Sequence, residues 1–396
     1  MQRTVKLLLA LLVVVGSLAS TRRADAYAWM IRHDYSGCAT CHTDPSGGGL
    51  LTAYGRAQSD ILLSQGWGRT EKDEARASAA PFFGWFGVPD RLEVGAQVRT
   101  LTYWSKVGSG PAATSAMLMQ SDALAQLTVG RLRGFGSIGF QADGGRQAAV
   151  TRAESGNLVS REHWLGVDLG ADDQWLVRAG RMALPFGLRL IEHTTFVRQT
   201  TRTDVNDGQQ HGVSLSYGDE RVRGELMAIA GNYQLSPDGA RERGYSGFVE
   251  VSPFTGGAVG VTSLVTHAAD DAYLHVASTR QAHGAFVRYA PWRPLVLLAE
   301  EDWLSQAPAG MAALHGHVGF VQADLQVMRG LHVLATGEVQ NDGVPGQGSS
   351  WGATGSIWWF AFPHVDLRVD ASDAKIAAGP QQLDVKSVAV VAHLYL

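Results

Sequence analysis

Cys38-Ala39-Thr40-Cys41-His42 contains both cysteines of the 396-residue chain. Two thiols three residues apart lie on one turn, where each can add to one vinyl group of a haem. The histidine that follows then lies where its imidazole can bind the iron from the proximal side. The spacing predicts one covalent haem c, attached through Cys38 and Cys41, with His42 as the proximal iron ligand. Two plainer chemistries use the same residues: a disulfide between the cysteines, or a zinc ion held by Cys38, Cys41, His42 and His33. The histidine directly after the second cysteine favours haem. His33, five residues upstream of Cys38, is the candidate distal iron ligand, with Met30 close by. An imidazole there would lower the reduction potential relative to a thioether.

The elements that position this pair begin with an export signal. Arg3 and Lys6 precede the apolar run "LLLALLVVVGSLA", and the small-residue site Ala24-Asp25-Ala26 follows. That layout predicts a signal peptide over 1–26, cleaved after Ala26. An exported chain meets oxidising conditions, where two idle thiols would be unusual. Residues 27–70 then form a small, mainly α or irregular haem unit, below the size at which a core alone suffices. A covalent haem would supply its apolar centre, wrapped by Trp29, Tyr35, Leu50, Leu51, Tyr54, Ile61 and Leu62. In Asp44-Pro45-Ser46-Gly47-Gly48-Gly49 the glycines would let backbone approach the ring. Residues 71–90 change composition twice and read as a linker.

From Arg91 to Leu396 the pattern has period two. Val321, Ala323, Leu325 and Val327 alternate with Gln322, Asp324 and Gln326, and Val365, Leu367 and Val369 with His364, Asp366, Arg368 and Asp370. Each segment therefore has one apolar and one charged face. Many segments run to ten residues or more, the length a tilted strand needs to cross a bilayer. Sixteen are readable, near 91–105, 116–130, 131–142, 159–169, 173–182, 209–218, 220–230, 244–253, 256–267, 280–290, 293–303, 314–327, 330–341, 350–361, 363–372 and 384–396. Their connections alternate between tight turns and long loops, the latter at 106–115, 143–158, 183–208, 231–243, 268–279, 304–313, 342–349 and 373–382. The fold class expected is all-β, a transmembrane outer-membrane barrel of about 16 antiparallel strands over 91–396. Trp104, Trp175, Tyr217, Tyr289, Trp292, Trp303, Trp358 and Tyr395 lie towards segment ends, as an interfacial girdle would. An even strand count puts both barrel ends on the short-turn, periplasmic rim. The haem unit is thus expected on that side or inside the lumen. Val388, Val390, Ala392, Leu394 and Leu396 form a terminal apolar row like the one that ends outer-membrane barrels.

At this point two segments resemble known families. "RHDYSGCATCHTDPSGGGLLTAYGR" (32–56) resembles the monohaem segment found ahead of outer-membrane β-barrels in several proteobacterial lineages. The resemblance implies a cytochrome-fused porin, similar in logic to porin–cytochrome electron conduits. In those conduits the cytochrome is usually a separate multihaem protein, and a single haem departs from that pattern. "RAGRMALPFGLR" (178–189) resembles the Gly-Arg…Pro-Phe-Gly region of phosphate-selective-type porins.

The longest connection, 183–208, is expected to fold inward and narrow the pore. Arg189, His193, Arg198 and Arg202 would then place positive charge at a constriction and favour anions; the plainer reading is a solvated outer loop. His332, His364 and His393 read as ordinary polar lumen residues. No Ser-His-Asp, paired-carboxylate or phosphate-loop constellation is present, so an enzyme is not expected. The formal charge of −4 comes without a basic stripe, which argues against a nucleic-acid partner. The function expected is electron transfer at or across the outer membrane, with periplasmic or extracellular redox carriers or cytochromes as partners. The alternative is a solute porin whose haem unit is a plug, gate or redox sensor. Porins often assemble as homotrimers, and that assembly is open to this chain.

Overall fold

The computed structural model describes residues 28–35, 37–45, 47–65, 81–85, 87–140, 158–170, 174–192, 194–204, 208–234 and 238–396. The expected signal peptide, most of the linker, most of the connection at 143–158 and His193 lie outside them.

Among the described residues, sixteen strands follow the alternation. They are β1 (Leu92–Val107), β2 (Ala113–Val129), β3 (Leu132–Phe140), β4 (His163–Leu169), β5 (Trp175–Met182), β6 (Gln210–Gly218), β7 (Val222–Gly231) and β8 (Arg243–Phe254). The second half comprises β9 (Gly257–Ala268), β10 (Ser278–Trp292), β11 (Leu295–Pro308), β12 (Leu314–Met328), β13 (Leu331–Asn341), β14 (Ser350–Phe362), β15 (Val365–Ala378) and β16 (Gln381–Tyr395). A two-residue piece, Leu158–Val159, pairs with the end of β3 ahead of β4. Each strand is antiparallel to its chain neighbours. β16 pairs back onto β1, from Gln97↔Tyr395 to Val107↔Val385, which closes the sheet and removes its edges.

Closure gives the two strand faces different surroundings. Gln322, Asp324, Asp366 and Arg368 are buried towards the lumen, whereas Val321, Leu325, Leu367 and Val369 are exposed on the outer wall. The outer wall is thus the apolar face that lipid covers in barrels of this kind.

Two expectations about the barrel need correction. Residues 373–382 are not a long loop: β15 and β16 continue to Ala378 and Gln381 and meet at Gly379-Pro380. Both faces of this hairpin carry polar side chains, with Lys386 3.5 Å from Asp373 across the strands, so apolar alternation does not reveal it. Trp358 and Tyr395 are not girdle residues either. Trp358 is buried in the lumen, where its Nε1 donates to Asp366 at 2.9 Å. Tyr395 faces inward, its hydroxyl 2.7 Å from Ser59 Oγ. Parity decides both cases: Trp358 lies two residues from buried Ser356 and Phe360, and Tyr395 two residues from His393, whose ring turns inward to Asp366.

The lumen is filled rather than open. Residues 28–65 enter it at the short-turn rim, where Gln65 N donates to Phe360 O at 2.9 Å. They comprise a 3-10 turn (Ala28–His33), the Cys38–His42 turn, helix α1 (Ala53–Gln58) and a π turn (Ser59–Leu63). The connection from Met182 to Gln210, carrying helix α2 (Phe196–Thr201), folds into the barrel as expected. Leu188, Leu190 and Val197 from that loop share one buried apolar cluster with Trp29, Met30 and Ile31 of the plug and with Phe320, Trp358 and Phe360 of the wall. This meets the size problem of the 27–70 segment without a cofactor at its centre. Tyr54 and Ile61 are 44% and 42% exposed, and the barrel wall supplies the apolar core of this segment.

Candidate functional site

The Cys38–His42 segment is one tight turn. Cys41 N and His42 N both donate to Cys38 O, at 3.2 and 3.0 Å. The chain then doubles back: Thr43 N donates to Leu50 O and Thr52 N to Cys41 O, and His42 bridges Leu51. Thr52 caps α1 by accepting from Gly55 N at 3.1 Å. The helix lies flush on the turn, because a Cβ at Gly55 would be 2.2 Å from Cys41 O. Gly47, with φ at +93°, brings backbone so near that a Cβ there would be 3.0 Å from Cys38 Sγ.

Cys38 and Cys41 are buried and not disulfide-bonded to each other. Together with His42 they line one cavity of about 110 Å³. The inward loop contributes Leu188, Arg189 and Ile191 to its lining, and the wall contributes Arg99, Arg223, Arg288, His393 and Tyr395. Arg223 Nη1 lies 3.3 Å from Cys38 Sγ, and a cation so placed favours the reactive thiolate. Burial, opposed by Asp44 and reinforced by the Arg189 charge, lowers the His42 pKa to about 4. His42 is therefore neutral near pH 7, the form that binds iron, and its buried Nδ1 has no hydrogen-bond partner. Two thiols and a neutral imidazole on one cavity of mixed apolar and cationic lining are the donor set that a covalent haem would use. Among the described residues, no three His, Cys, Asp or Glu side chains converge as an ion-binding group of the zinc type.

His33 is placed elsewhere. It does not line the cavity, and the charged neighbours that reinforce burial in lowering its pKa to about 4 are Arg32, Arg293 and His332. Met30 does line it. His332 is fully buried on the wall, its Nδ1 2.9 Å from Asp324 and its ring 4.8 Å from Trp29. His364 sits in the β14–β15 turn with its ring 5.4 Å from that of Tyr395. His393 was readable only as a lumen residue; nothing in its spacing linked it to Cys38, and only barrel closure brings them to one cavity.

The three loop arginines lie in the lumen, each beside a carboxylate. Arg189 is 3.3 Å from Asp44, Arg198 pairs with Glu300, and Arg202 is 2.8 Å from Asp271. Arg198 is almost wholly buried. The wall itself is a lattice of such pairs. Arg178 bridges Asp44 and Glu225, and both Arg223 and Arg288 hold Glu250.

No protein-family model matches the chain, and no curated protein sequence matches it. Solved structures do. The outer membrane protein OmpT of Vibrio cholerae superposes with a TM-score of 0.57 at 12% identity, over 78% of this chain and 99% of that one. The fold is that of a porin. OprB of Pseudomonas putida matches with a TM-score of 0.57 and 12% identity over 85% of this chain and 99% of its own. An anion-selective porin from Comamonas acidovorans matches at 0.56 and 10%, over 77% and 99%. Within this porin fold the lumen holds an N-terminal plug tied to the wall by the buried ion pair Arg32–Asp324 at 2.7 Å and the part-buried pair Arg56–Glu93 at 2.5 Å.

Proposed function

We propose that this protein is an outer-membrane barrel carrying one covalent haem c in its plugged lumen, and that it takes part in electron transfer at that membrane. The observation that carries the reading is the single cavity on which Cys38, Cys41 and His42 meet, closed by plug, inward loop and barrel wall together. Cys38 and Cys41 would each add S–H across a vinyl double bond, sulfur and hydrogen ending on its two carbons, with no net oxidation. His42 would ligate the iron. Arg99, Arg223 and Arg288 line the same cavity and would offer positive charge to the carboxylates such a group carries. A haem held there would supply one-electron transfer, and the chain's own residues would hold it and limit its contact with water. One such group does not bridge the ~30 Å hydrocarbon core alone. The reading therefore includes a second redox partner, a cytochrome or a small diffusing carrier.

The first test is the reduced-minus-oxidised visible spectrum of the mature protein, extracted from outer membranes of a host with haem-attachment machinery. A covalent c-type signal, lost in Cys38→Ala with Cys41→Ala, is expected. Its absence would overturn the electron-transfer reading and leave the second one.

That second reading is a solute porin in which residues 28–65 act as a plug or gate. The similarity to porins, one of them described as anion-selective, favours it. Single-channel conductance that rises sharply when the plug is deleted, in a protein without haem, would support it.

A further inference from the structure

We infer that His393, on the last barrel strand, is the distal axial ligand of the haem iron, opposite His42. The inference rests on the haem reading above and names the sixth ligand that reading leaves open.

Three observations carry it. First, His393 lines the same cavity as Cys38, Cys41 and His42, whereas His33 does not. Second, its tautomer is set. His393 Nδ1 lies 2.9 Å from Asp366 Oδ2; beside an ionised carboxylate it donates, and the neutral ring then carries its lone pair on Nε2. Asp366 is itself held, its Oδ1 accepting from Trp358 Nε1 at 2.9 Å. A carboxylate behind an imidazole is the arrangement that orients histidine ligands and raises their basicity. Third, the plug is registered on the strand that bears it. β1 and β16 pair as Arg99↔His393 and Gln97↔Tyr395. The plug docks on this seam through Arg56–Glu93 at 2.5 Å and Ser59–Tyr395 at 2.7 Å. A ligand pair split between plug and wall requires such a fixed register.

Met30 is the competitor on the cavity. It packs in the apolar cluster with Trp29, Ile31 and Cys41. His393 has an orienting carboxylate in Asp366.

Ligation by His393 couples closure of the barrel to completion of the iron site, because β16 must pair with β1 before the imidazole reaches the cavity. An electron-transfer haem with two imidazoles is low-spin and lower in potential than one with a thioether.

The test uses full-length protein with haem attached, read by electron paramagnetic resonance and by potentiometric titration. The wild type is expected to be low-spin ferric with two imidazole ligands. His393→Ala should become high-spin and return to low-spin on adding imidazole. His393→Met should stay low-spin with a raised potential, and Asp366→Asn should stay low-spin with a smaller rise. Heat-modifiable electrophoretic migration checks that each barrel has closed, and Asp366→Asn serves where His393→Ala does not fold. A His393→Ala protein that keeps the wild-type low-spin signal overturns the inference. So does a high-spin wild type, or loss of the low-spin signal in Met30→Leu alone. Failure of the haem reading looks different: denatured protein then shows no covalent haem in any variant.

Discussion

Arg178 Nη1 donates to Asp44 Oδ1 at 3.1 Å, joining barrel strand β5 to the loop just past the Cys38–His42 turn. The same guanidinium reaches Glu225 on β7 at 2.5 Å. One fully buried cation thus neutralises a carboxylate of the plug and one of the wall. The resemblance of 178–189 to a porin segment gave no hint that its first arginine would secure the plug.

Removing that cation leaves two carboxylates buried without it. Arg178→Ala is expected to destabilise the protein by about 3–5 kcal/mol, the usual cost of breaking a buried pair. Arg178→Lys should recover only part of this, since one ammonium cannot serve both partners with the guanidinium's geometry. Urea unfolding in detergent micelles measures both; a Lys variant as stable as wild type would refute the bridging role.

Gly55→Ala tests the seating of α1 on the Cys38–His42 turn. The added Cβ would lie 2.2 Å from Cys41 O, so helix and turn must separate. A cost of at least about 1–3 kcal/mol is expected, together with reduced covalent haem content per barrel. Normal haem content in a closed Gly55→Ala barrel would refute that seating.

The loop arginines are expected to act on stability rather than on ion selectivity. Arg198→Gln strips buried Glu300 of its partner and should cost about 3–5 kcal/mol. Arg202→Gln should cost less, because Arg202 is partly exposed. Planar-bilayer reversal potentials should be unchanged in both variants. A loss of anion preference without a loss of stability would restore the constriction role expected from the sequence.

Acid should release the inward loop. Burial alone would raise the pKa of Glu192, but Arg368 at 2.7 Å, with hydrogen bonds from Gln322 and the Glu192 backbone, holds the carboxyl below its ordinary value. Asp271 and Glu242 are held down against burial in the same way, by Arg202 and by Arg280 with Arg202 respectively. Folded values below unfolded ones mean this stabilisation is complete above the unfolded carboxylate range, about 4, and is lost as pH falls through the folded values. Limited proteolysis within 183–209 should therefore stay low at pH 7 and 5 and rise below about pH 4. Release between pH 7 and 5 would contradict these anchors.

Much of the architecture was legible before any coordinates. Period two, segment length and alternating connection lengths yield sixteen strands in the observed order, because a strand's two faces meet different solvents whichever neighbour it pairs with. The Cys38–His42 spacing is local for the same reason: one turn of chain sets it. The hairpin around Gly379-Pro380 was missed because both of its faces are polar, and Trp358 and Tyr395 because position along a strand was read without parity.

What surrounds the candidate haem was not legible. His393 is more than 350 residues from Cys38, and Arg223 lies on another strand again. Only ring closure through β1 and β16, with the plug and the 183–209 loop packed inside, brings them to one cavity. Alternation states that a side chain faces the lumen. Which other lumen residues it meets depends on strand tilt, register and what fills the interior, and those are properties of the closed barrel rather than of any segment of it.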